Sequence, residues 1–162
     1  ELTAALAEIG TPAILKTASL GYDGKGQVRL QDGADPAAAW AAVGGAPSVL
    51  EGFVRFAAEF SVILCRAADG TSVAWDVPAN VHEQGILATS TVPAPDFVLA
   101  QADAAIALAR TVADELQHIG VLTLEFFATD SGPVFNEMAP RVHNSGHWTI
   151  EGAVTSQFEN HV

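Results

Sequence analysis

The spacing of apolar and polar residues along the chain predicts a mixed series of strands and helices. Short apolar or alternating runs rich in Val, Ile, Leu and Phe are typical of strands. Such runs occupy residues 12–16, 28–30, 48–54, 59–66, 71–75, 86–92, 121–128 and 133–137. After the sixth run, apolar residues recur at three- and four-residue intervals, which predicts a long amphipathic helix. We expect Asp96 to cap this helix and Gly120 to end it just after His118.

Shorter helices are expected at three further places. Residues 1–9 are helical in pattern and Gly10 follows them, as glycine often follows the last turn of a helix. Residues 35–43 have a proline in the first turn and two glycines beyond the end. Residues 155–162 again have a helical composition. The segment 78–87 is rich in turn-forming residues, and we interpret it as a turn that leads into the following strand.

Two turn signals connect strands that are adjacent in sequence. Ala68-Asp69-Gly70 and Asp130-Ser131-Gly132 each separate two strand-like runs, which is typical of a β-hairpin. Hairpins join antiparallel strands, whereas parallel strands need long crossover connections. We therefore expect an α+β domain with antiparallel sheet and not a doubly wound fold.

The composition indicates a folded domain with an acidic surface. The 162 residues are 49% hydrophobic and 16% charged, and the formal net charge is −12. This charge argues against general binding to nucleic acid or to an anionic membrane. No run of 18 apolar residues is present, so no membrane span is indicated. The single Cys65 permits no internal disulfide, and we expect a cytoplasmic protein in a reducing compartment.

A glycine-rich stretch follows the first predicted strand. Lys16 ends that strand, and residues 21–27 (GYDGKGQ) hold three glycines and Lys25. Glycines allow backbone N–H groups to approach a phosphate closely. The spacing is neither that of a Walker loop nor that of a dinucleotide fingerprint. The stretch is either a mobile hairpin or a flap that covers a phosphate, and Lys16 favours the flap.

Residues 134–148 concentrate chemical groups near the end of the chain. Glu137, Arg141, two histidines and small polar side chains lie there, although the chain has only 7 Lys and Arg. The preceding strand contributes a second carboxylate, Glu125. Two carboxylates on paired strands, with Asn136 beside them, suit Mg²⁺, which takes oxygen ligands and keeps waters and phosphates. The alternative is an ordinary strand followed by a polar loop.

Together these segments resemble the ATP-grasp family. They occur in that family's order: Lys16, the glycine-rich residues 21–27, the segment 51–54, Glu59, and Glu125 with Asn136-Glu137. The resemblance implies an α+β fold in which two lobes with largely antiparallel sheets hold ATP between them. Residues 21–27 and 136–148 further resemble the 5-(carboxyamino)imidazole ribonucleotide synthases, and this similarity extends across the whole chain.

This resemblance implies an ATP-dependent carbon–nitrogen ligase of purine biosynthesis. Such an enzyme carboxylates 5-aminoimidazole ribonucleotide with bicarbonate through carboxyphosphate, forms ADP and phosphate, and is a homodimer. The family also has an N-terminal nucleotide-fold domain and a small C-terminal domain. Because this chain begins without Met and its two ends have helical patterns, we expect residues 1–162 to be the ATP-grasp domain of a longer protein.

The resemblance also implies a role for each matching position. The metal ligands would be Glu125 and Glu137. ATP would be held by Lys16, Gly21, Tyr22, Asp23, Gly24, Lys25, Gly26, Gln27, Glu51, Gly52, Phe53, Val54, Glu59, His82, Asn136 and Glu137. Glu51 and Val54 would meet the adenine through backbone groups, and Glu59 would hold the ribose. Bicarbonate, carboxyphosphate or the ribonucleotide would be contacted by Tyr22, Asp23, Arg141, His143, Asn144 and Ser145.

Several alternatives stay open at this point. Another ATP-grasp enzyme, such as the formate-dependent purine transformylase or a biotin carboxylase, would share the nucleotide site, but residues 144–148 after Arg141 argue against both. The isolated chain could also be a magnesium-ATP-binding module without turnover. An inactive relative is disfavoured because Lys16, Glu125, Glu137 and Arg141 are all present. His143 is a candidate proton shuttle, or it orients a phosphate.

Overall fold

The computed structural model describes residues 1–19 and 25–161, and these residues form an α+β structure as predicted. They divide into two compact units. The first unit comprises Glu1–Arg55 with Gln84–Ile86, and the second comprises Phe56–Glu83 with Leu87–Val162. All strand pairs with a defined register are antiparallel, which confirms the predicted sheet type.

The first unit is a three-stranded sheet covered by two helices. β1 (Ala13–Thr17) lies between β2 (Gln27–Leu30) and β3 (Ser48–Gly52), and the helices are α1 (Leu2–Ile9) and α2 (Pro36–Ala42). One face of the sheet packs on the helices and forms a small apolar core of Ala13, Leu15, Leu30, Ala39 and Val43. The other face carries the side chains that alternate with this core, among them Lys16.

The second unit is built on a six-stranded sheet with the order β7-β6-β4-β8-β9, and β5 pairs with β4. Its strands are β4 (Ala58–Arg66), β5 (Ser72–Ala74), β6 (Ala79–Glu83), β7 (Ile86–Thr91), β8 (Gly120–Thr129) and β9 (Gly132–Ala139). The long helix α3 (Asp96–Glu115) packs against one face of this sheet. That apolar face consists chiefly of Phe60, Val62, Leu64, Leu122, Leu124 and Phe126, each at most 1% exposed.

The end of the chain packs against β4 and β8. A 3₁₀ turn (Asn144–Gly146) is followed by α4 (Thr149–Gly152) and α5 (Gln157–His161). The Cys65 thiol of β4 donates a hydrogen bond to the Asn160 carbonyl of α5 at 3.0 Å. Burial raises the pKa of the Cys65 thiol, which therefore stays protonated as a donor. Because Cys65 alternates with the residues of the apolar face, α5 lies over the opposite face of the sheet.

Two expectations about local structure are wrong. Residues 79–83, interpreted as part of a turn, form the strand β6, and the turn is confined to Gln84 and Gly85, which have φ of 54° and 80°. The apolar pattern missed β6 because its buried Asn80 is satisfied by hydrogen bonds with distant residues. Asp96 does not cap α3 but is its first residue, and α3 ends at Glu115, since Gln117 already has a positive φ.

Candidate functional site

The face of the six-stranded sheet opposite α3 carries a cluster of polar side chains. Strand register sets Ser61 of β4 beside Glu125 of β8, and Glu125 beside Glu137 of β9. These residues alternate along their strands with the buried apolar residues, so their side chains share the other face. The predicted pairing of the strands that carry Glu125 and Glu137 is therefore confirmed.

A β-bulge shapes the part of this face around the two glutamates. Glu125 pairs with Glu137, but the next residue of β8, Phe126, pairs with Phe135, so Asn136 is an extra residue in β9. A bulge sets two residues opposite one and redirects side chains locally. Glu125 is 8% exposed while Glu137 is exposed. A buried and a solvent-accessible carboxylate thus lie side by side, with an amide next to them.

His143 contacts the buried glutamate directly. Its Nε2 lies 2.9 Å from Oε1 of Glu125, and only 14% of the histidine side chain and 11% of the glutamate side chain are exposed. Its Nδ1 accepts a hydrogen bond from the backbone N–H of Ser145 at 3.3 Å and lies 2.9 Å from the Ser145 hydroxyl. Because Nδ1 is an acceptor, the ring proton is on Nε2 and is donated to Glu125.

A second histidine–carboxylate pair lies on the same face. The Nδ1 of His82 hydrogen-bonds to Oε2 of Glu59. This bond raises the pKa of His82 above its ordinary value. Partial burial lowers the pKa, but the charges of Glu59, Glu125 and Glu137 raise it further. The resemblance had assigned Glu59 and His82 to the nucleotide, and the structure brings both of them close to the glutamate pair.

Three small polar residues support this face from within. The side chain of Asn80 donates to the Ser61 hydroxyl at 2.6 Å and accepts from the Ser90 hydroxyl at 2.8 Å. Asn80 is 6% exposed and Ser61 is fully buried. These bonds connect β4, β6 and β7. The sequence analysis missed this network because none of its members belongs to a motif.

The candidate residues of the first unit lie on the outer face of its own sheet. Lys16 of β1 and Glu51 of β3 form an ion pair, with Nζ and Oε2 2.8 Å apart. Gln27 pairs with Lys16 in register, so the two side chains share this face. The guanidinium of Arg29, which the sequence analysis did not select, lies 4.4 Å from the ring centroid of Phe53.

The glycine-rich stretch is only partly described. Gly21, Tyr22, Asp23 and Gly24 lie outside the described residues, so the predictions for them are not tested. Lys25 is exposed, and Gly26 has φ of 76°. A Cβ on Gly26 would lie 2.6 Å from Oγ1 of Thr17, so a side chain there would also collide with β1.

The remaining candidate residues lie at the end of β3 or in the segment after β9. Gly52 ends β3, and Phe53 and Val54 follow it. The backbone N–H of Phe53 donates to the Pro12 carbonyl at 3.1 Å. The exposed Arg141 donates to the adjacent Val142 carbonyl at 2.8 Å. The remaining two, Asn144 and Ser145, begin the 3₁₀ turn, where Asn144 is exposed and Ser145 is fully buried against His143.

The metal expectation rests on two carboxylates. Within residues 1–19 and 25–161, no group of three or more His, Cys, Asp and Glu side chains has the arrangement of a metal site. Mg²⁺ is commonly held by one or two carboxylates together with substrate phosphates, so the pair Glu125 and Glu137 matches its preference for oxygen donors.

Within residues 1–19 and 25–161, no helix is long and apolar enough to cross a membrane.

Comparison with known proteins identifies relatives of the whole chain. The family model of the ATP-grasp domain matches residues 1–158. The N5-carboxyaminoimidazole ribonucleotide synthase of Pseudomonas aeruginosa is 50% identical over 100% of this chain and 44% of its own length. A solved structure of an N5-carboxyaminoimidazole ribonucleotide synthetase with ADP is 44% identical, with a TM-score of 0.89 over 99% of this chain and 42% of that one.

A third relative was solved with both a nucleotide and a ribonucleotide. The Aspergillus clavatus N5-carboxyaminoimidazole synthase, in complex with ADP and 5-aminoimidazole ribonucleotide, is 30% identical. Its TM-score is 0.88 over 99% of this chain and 41% of that chain. The chain thus spans less than half the length of the relatives it matches. The family match, the antiparallel α+β architecture and the paired carboxylates agree, and the chain belongs to the ATP-grasp family.

Proposed function

We propose that this chain is the ATP-grasp domain of a ligase that uses ATP to carboxylate 5-aminoimidazole ribonucleotide with bicarbonate in purine biosynthesis. The observation that carries the proposal is the register pair Glu125–Glu137. Asn136 lies next to Glu137 at the bulge, and His143 contacts Glu125. A buried carboxylate beside an exposed one, on the polar face of a sheet, is an oxygen-rich position for a magnesium nucleotide.

The relatives support the named substrates. Curated N5-carboxyaminoimidazole ribonucleotide synthases reach 50% and 51% identity over nearly the whole chain. Similar solved structures contain ADP, ATP, or ADP with 5-aminoimidazole ribonucleotide. Since the chain spans less than half of these proteins, the reaction is proposed for the complete gene product. By resemblance, we also propose a cytoplasmic homodimer.

Glu125 and Glu137 are the residues that would hold Mg²⁺. When bound, Mg²⁺ supplies positive charge that offsets the repulsion between ATP and bicarbonate. The Nε2 of His143 donates a hydrogen bond to Glu125 and so orients this carboxylate. Asn136, next to Glu137 at the bulge, would add an amide contact to the nucleotide phosphates.

The nucleotide residues are proposed on each unit separately. In the first unit, Lys16 and the glycine-rich residues 21–27 would contact the phosphates, and residues 51–54 would contact the adenine. Glu51 would orient the Lys16 ammonium through their 2.8 Å ion pair. In the second unit, Glu59 would accept hydrogen bonds from the ribose, while His82 holds the other carboxylate oxygen in place.

Bicarbonate, carboxyphosphate and the ribonucleotide are proposed to contact the residues after β9. Arg141 supplies the fixed positive charge that a bicarbonate or phosphate oxyanion needs in a chain of net charge −12. Asn144 is also exposed and can donate an amide hydrogen bond. The undescribed Tyr22 and Asp23 are proposed for the same substrates from the resemblance. Ser145 acts through the ring of His143, since its hydroxyl is buried there.

The proposed reaction balances in two steps. A bicarbonate oxygen attacks the γ-phosphorus of ATP, the bond to the bridging oxygen breaks, and ADP leaves as carboxyphosphate forms. The exocyclic amine of the ribonucleotide then forms a carbon–nitrogen bond at the carboxyl carbon, either of carboxyphosphate or of the carbon dioxide that it releases; phosphate leaves, and the amine loses one proton. Positioning and charge stabilisation are the main tasks of a protein in phosphoryl transfer. Exclusion of water protects the labile acyl phosphate.

The test is phosphate release by the complete gene product with magnesium-ATP and bicarbonate. We expect strong stimulation by 5-aminoimidazole ribonucleotide and little release without it. ATP hydrolysis that ignores the ribonucleotide would keep the ATP-grasp assignment and reject the substrate. Inosine monophosphate is a suitable control, because it is also a ribonucleoside monophosphate with an imidazole ring in its base but lacks the exocyclic amine.

A second candidate concerns the isolated chain of 162 residues. The chain spans less than half the length of the relatives described above. We propose that on its own it binds magnesium-ATP without ribonucleotide-dependent turnover. Calorimetric titration with an ATP analogue that cannot be hydrolysed, beside the phosphate assay, separates the two properties.

A further inference from the structure

The amide of Gln157 is fully buried and bonded to the backbone of a single residue. Its Oε1 accepts from the His143 N–H at 2.9 Å, and its Nε2 donates to the His143 carbonyl at 2.7 Å. The side chain is 0% exposed. The amide therefore pairs with the His143 backbone much as a neighbouring β-strand would, through one donor and one acceptor. A buried amide is stable only where both of its groups are bonded in this way.

The start of helix α5 fixes where this amide lies. Ser156 and Glu159 form a capping box: the Glu159 carboxylate accepts from the Ser156 N–H at 2.7 Å, and the Ser156 hydroxyl accepts from the Glu159 N–H at 3.2 Å. The first of these bonds lowers the pKa of Glu159. Gln157 is the first helical residue, and its own N–H donates to the Thr149 hydroxyl at 3.0 Å.

The 3₁₀ turn leaves space for this amide only because it contains Gly146. A Cβ at position 146 would lie 2.5 Å from Oε1 and 2.8 Å from Cδ of Gln157. Atoms that close cannot coexist, so an alanine would displace the amide. Gly146 and Gln157 are thus matched to each other.

The contacts continue from His143 to the glutamate pair. The backbone of His143 is held by Gln157, Nδ1 of its ring is held by Ser145, and Nε2 donates to Glu125. Ring orientation follows from backbone position and from the Nδ1 contacts. A shift of the His143 backbone would therefore move the proton donor away from the Glu125 carboxylate.

We propose that Gln157 is a positioning residue of the carboxylation site: it fixes the backbone of His143, so that Nε2 of the ring stays directed at Glu125 and orients this carboxylate. The inference rests on the proposed function for the role of Glu125. Gln157 itself touches no reacting group and acts through His143. The sequence analysis had assigned it no role.

The first test replaces Gln157 by Met, which keeps the length of the side chain but removes both amide bonds. The readout is the ¹⁵N resonance pair of the His143 ring in the complete gene product labelled with ¹⁵N-histidine, assigned by its absence in His143→Asn. We expect the wild type to show a protonated Nε2 and an unprotonated Nδ1. In Gln157→Met this pattern should change to a mixture of tautomers, and ribonucleotide-dependent turnover should fall about tenfold, or about 1.4 kcal/mol.

The control is Gln101→Met on helix α3. Gln101 also donates its amide to backbone carbonyls, those of Phe97 and Thr129, at 3.3 and 3.1 Å. It lies on the apolar side of the sheet, so its loss should leave the His143 resonances and turnover unchanged. Equal effects of the two substitutions would overturn the proposal, because they would reflect general destabilisation.

A second variant serves if Gln157→Met does not fold. Gly146→Ala keeps the glutamine but displaces its amide, so we expect the same change in the His143 resonances. In the double variant Gly146→Ala/Gln157→Ala, the colliding amide is absent. The alanine at 146 should therefore change the His143 resonances no further than Gln157→Ala does alone. Additive effects on the resonances would overturn the pairing of Gly146 with Gln157.

The outcomes separate this inference from the proposed function. Unchanged His143 resonances in Gln157→Met, in a protein with ribonucleotide-dependent turnover, would reject the positioning role alone. His143 resonances that change in Gln157→Met, when the wild type itself shows no ribonucleotide-dependent turnover, would reject the carboxylation function. The role of Gln157 in that reaction would be rejected with it.

Discussion

The two faces of the six-stranded sheet are made by the same strands and serve different purposes. Phe60, Val62 and Leu64 of β4 pack against α3, whereas Glu59 and Ser61 of the same strand belong to the polar face. On β8, Leu124 and Phe126 are the chain neighbours of Glu125, but their side chains lie on the opposite face of the sheet. Residues adjacent in sequence thus lie in the core and in the candidate site.

This difference shows how a rigid core can position a site without contributing to its chemistry. The apolar face fixes the strands, and the pleat then determines the positions of the polar side chains. On the polar face, burial is balanced by hydrogen bonds, such as those of Asn80 with Ser61 and Ser90. The apolar face should therefore control stability, and the carboxylates should control activity.

The largest expected effect is on the stability of the apolar face. Phe60 is fully buried and stacks on Phe126 with 5.4 Å between ring centroids. Replacing Phe60 by Ala should lower the free energy of unfolding by about 3–5 kcal/mol. Urea denaturation measures this loss, with Phe97→Ala on α3 as the control, since Phe97 is 39% exposed. Similar losses for both would contradict the assignment of the core.

The next effect is on activity alone. Replacing Glu137 by Gln removes one charge of the proposed metal pair, and ribonucleotide-dependent phosphate release should fall about a hundredfold, or about 2.7 kcal/mol. Since Glu137 is exposed, the free energy of unfolding should change by less than about 0.5 kcal/mol. Glu115→Gln at the end of α3 is the matched control. A loss below about tenfold would reject Glu137 as a metal ligand.

A smaller effect on stability is expected on the polar face. Replacing Asn80 by Ala removes two hydrogen bonds and leaves the buried Ser61 hydroxyl without its donor. The free energy of unfolding should fall by about 1–3 kcal/mol. Asn160→Ala is the control, because the Asn160 side chain makes a single exposed bond with Thr155. An equal loss in the control would show that burial of the network does not matter.

The smallest expected effect is a dependence of stability on pH. The bond to Glu59 raises the pKa of His82, so protonated His82 stabilises the folded state. This contribution is complete below the unfolded pKa of about 6.5 and is lost as pH rises through the raised folded pKa. The stability difference between wild type and His82→Asn should therefore shrink as pH rises from about 6.5 through the raised folded pKa. A difference that is constant over this range would contradict the pairing.

The sequence predicted the strands and the carboxylates well, because both depend on local patterns. Alternation located β4, β8 and β9, and the turn at residues 130–132 paired Glu125 with Glu137. The fold class and the family were also confirmed. The metal, nucleotide and substrate roles of all the candidate residues stay predictions, and residues 21–24 lie outside the described part of the chain.

Features that depend on distant partners could not be predicted. The burial of Asn80 needs Ser61 and Ser90, and the amide of Gln157 needs the backbone of His143. No motif marks either residue, since asparagine and glutamine are usually exposed. The bulge at Asn136 likewise appears only once the register of β8 and β9 is known.

The most direct test of the central claim is metal binding at the polar face. Mn²⁺, used in place of Mg²⁺, is titrated into the complete gene product with an ATP analogue that cannot be hydrolysed, and free Mn²⁺ is followed by electron paramagnetic resonance. We expect nucleotide-dependent Mn²⁺ binding in the wild type and in Glu115→Gln, and a loss of affinity of at least about tenfold in both Glu125→Gln and Glu137→Gln. Unchanged affinity in these two variants would contradict the account.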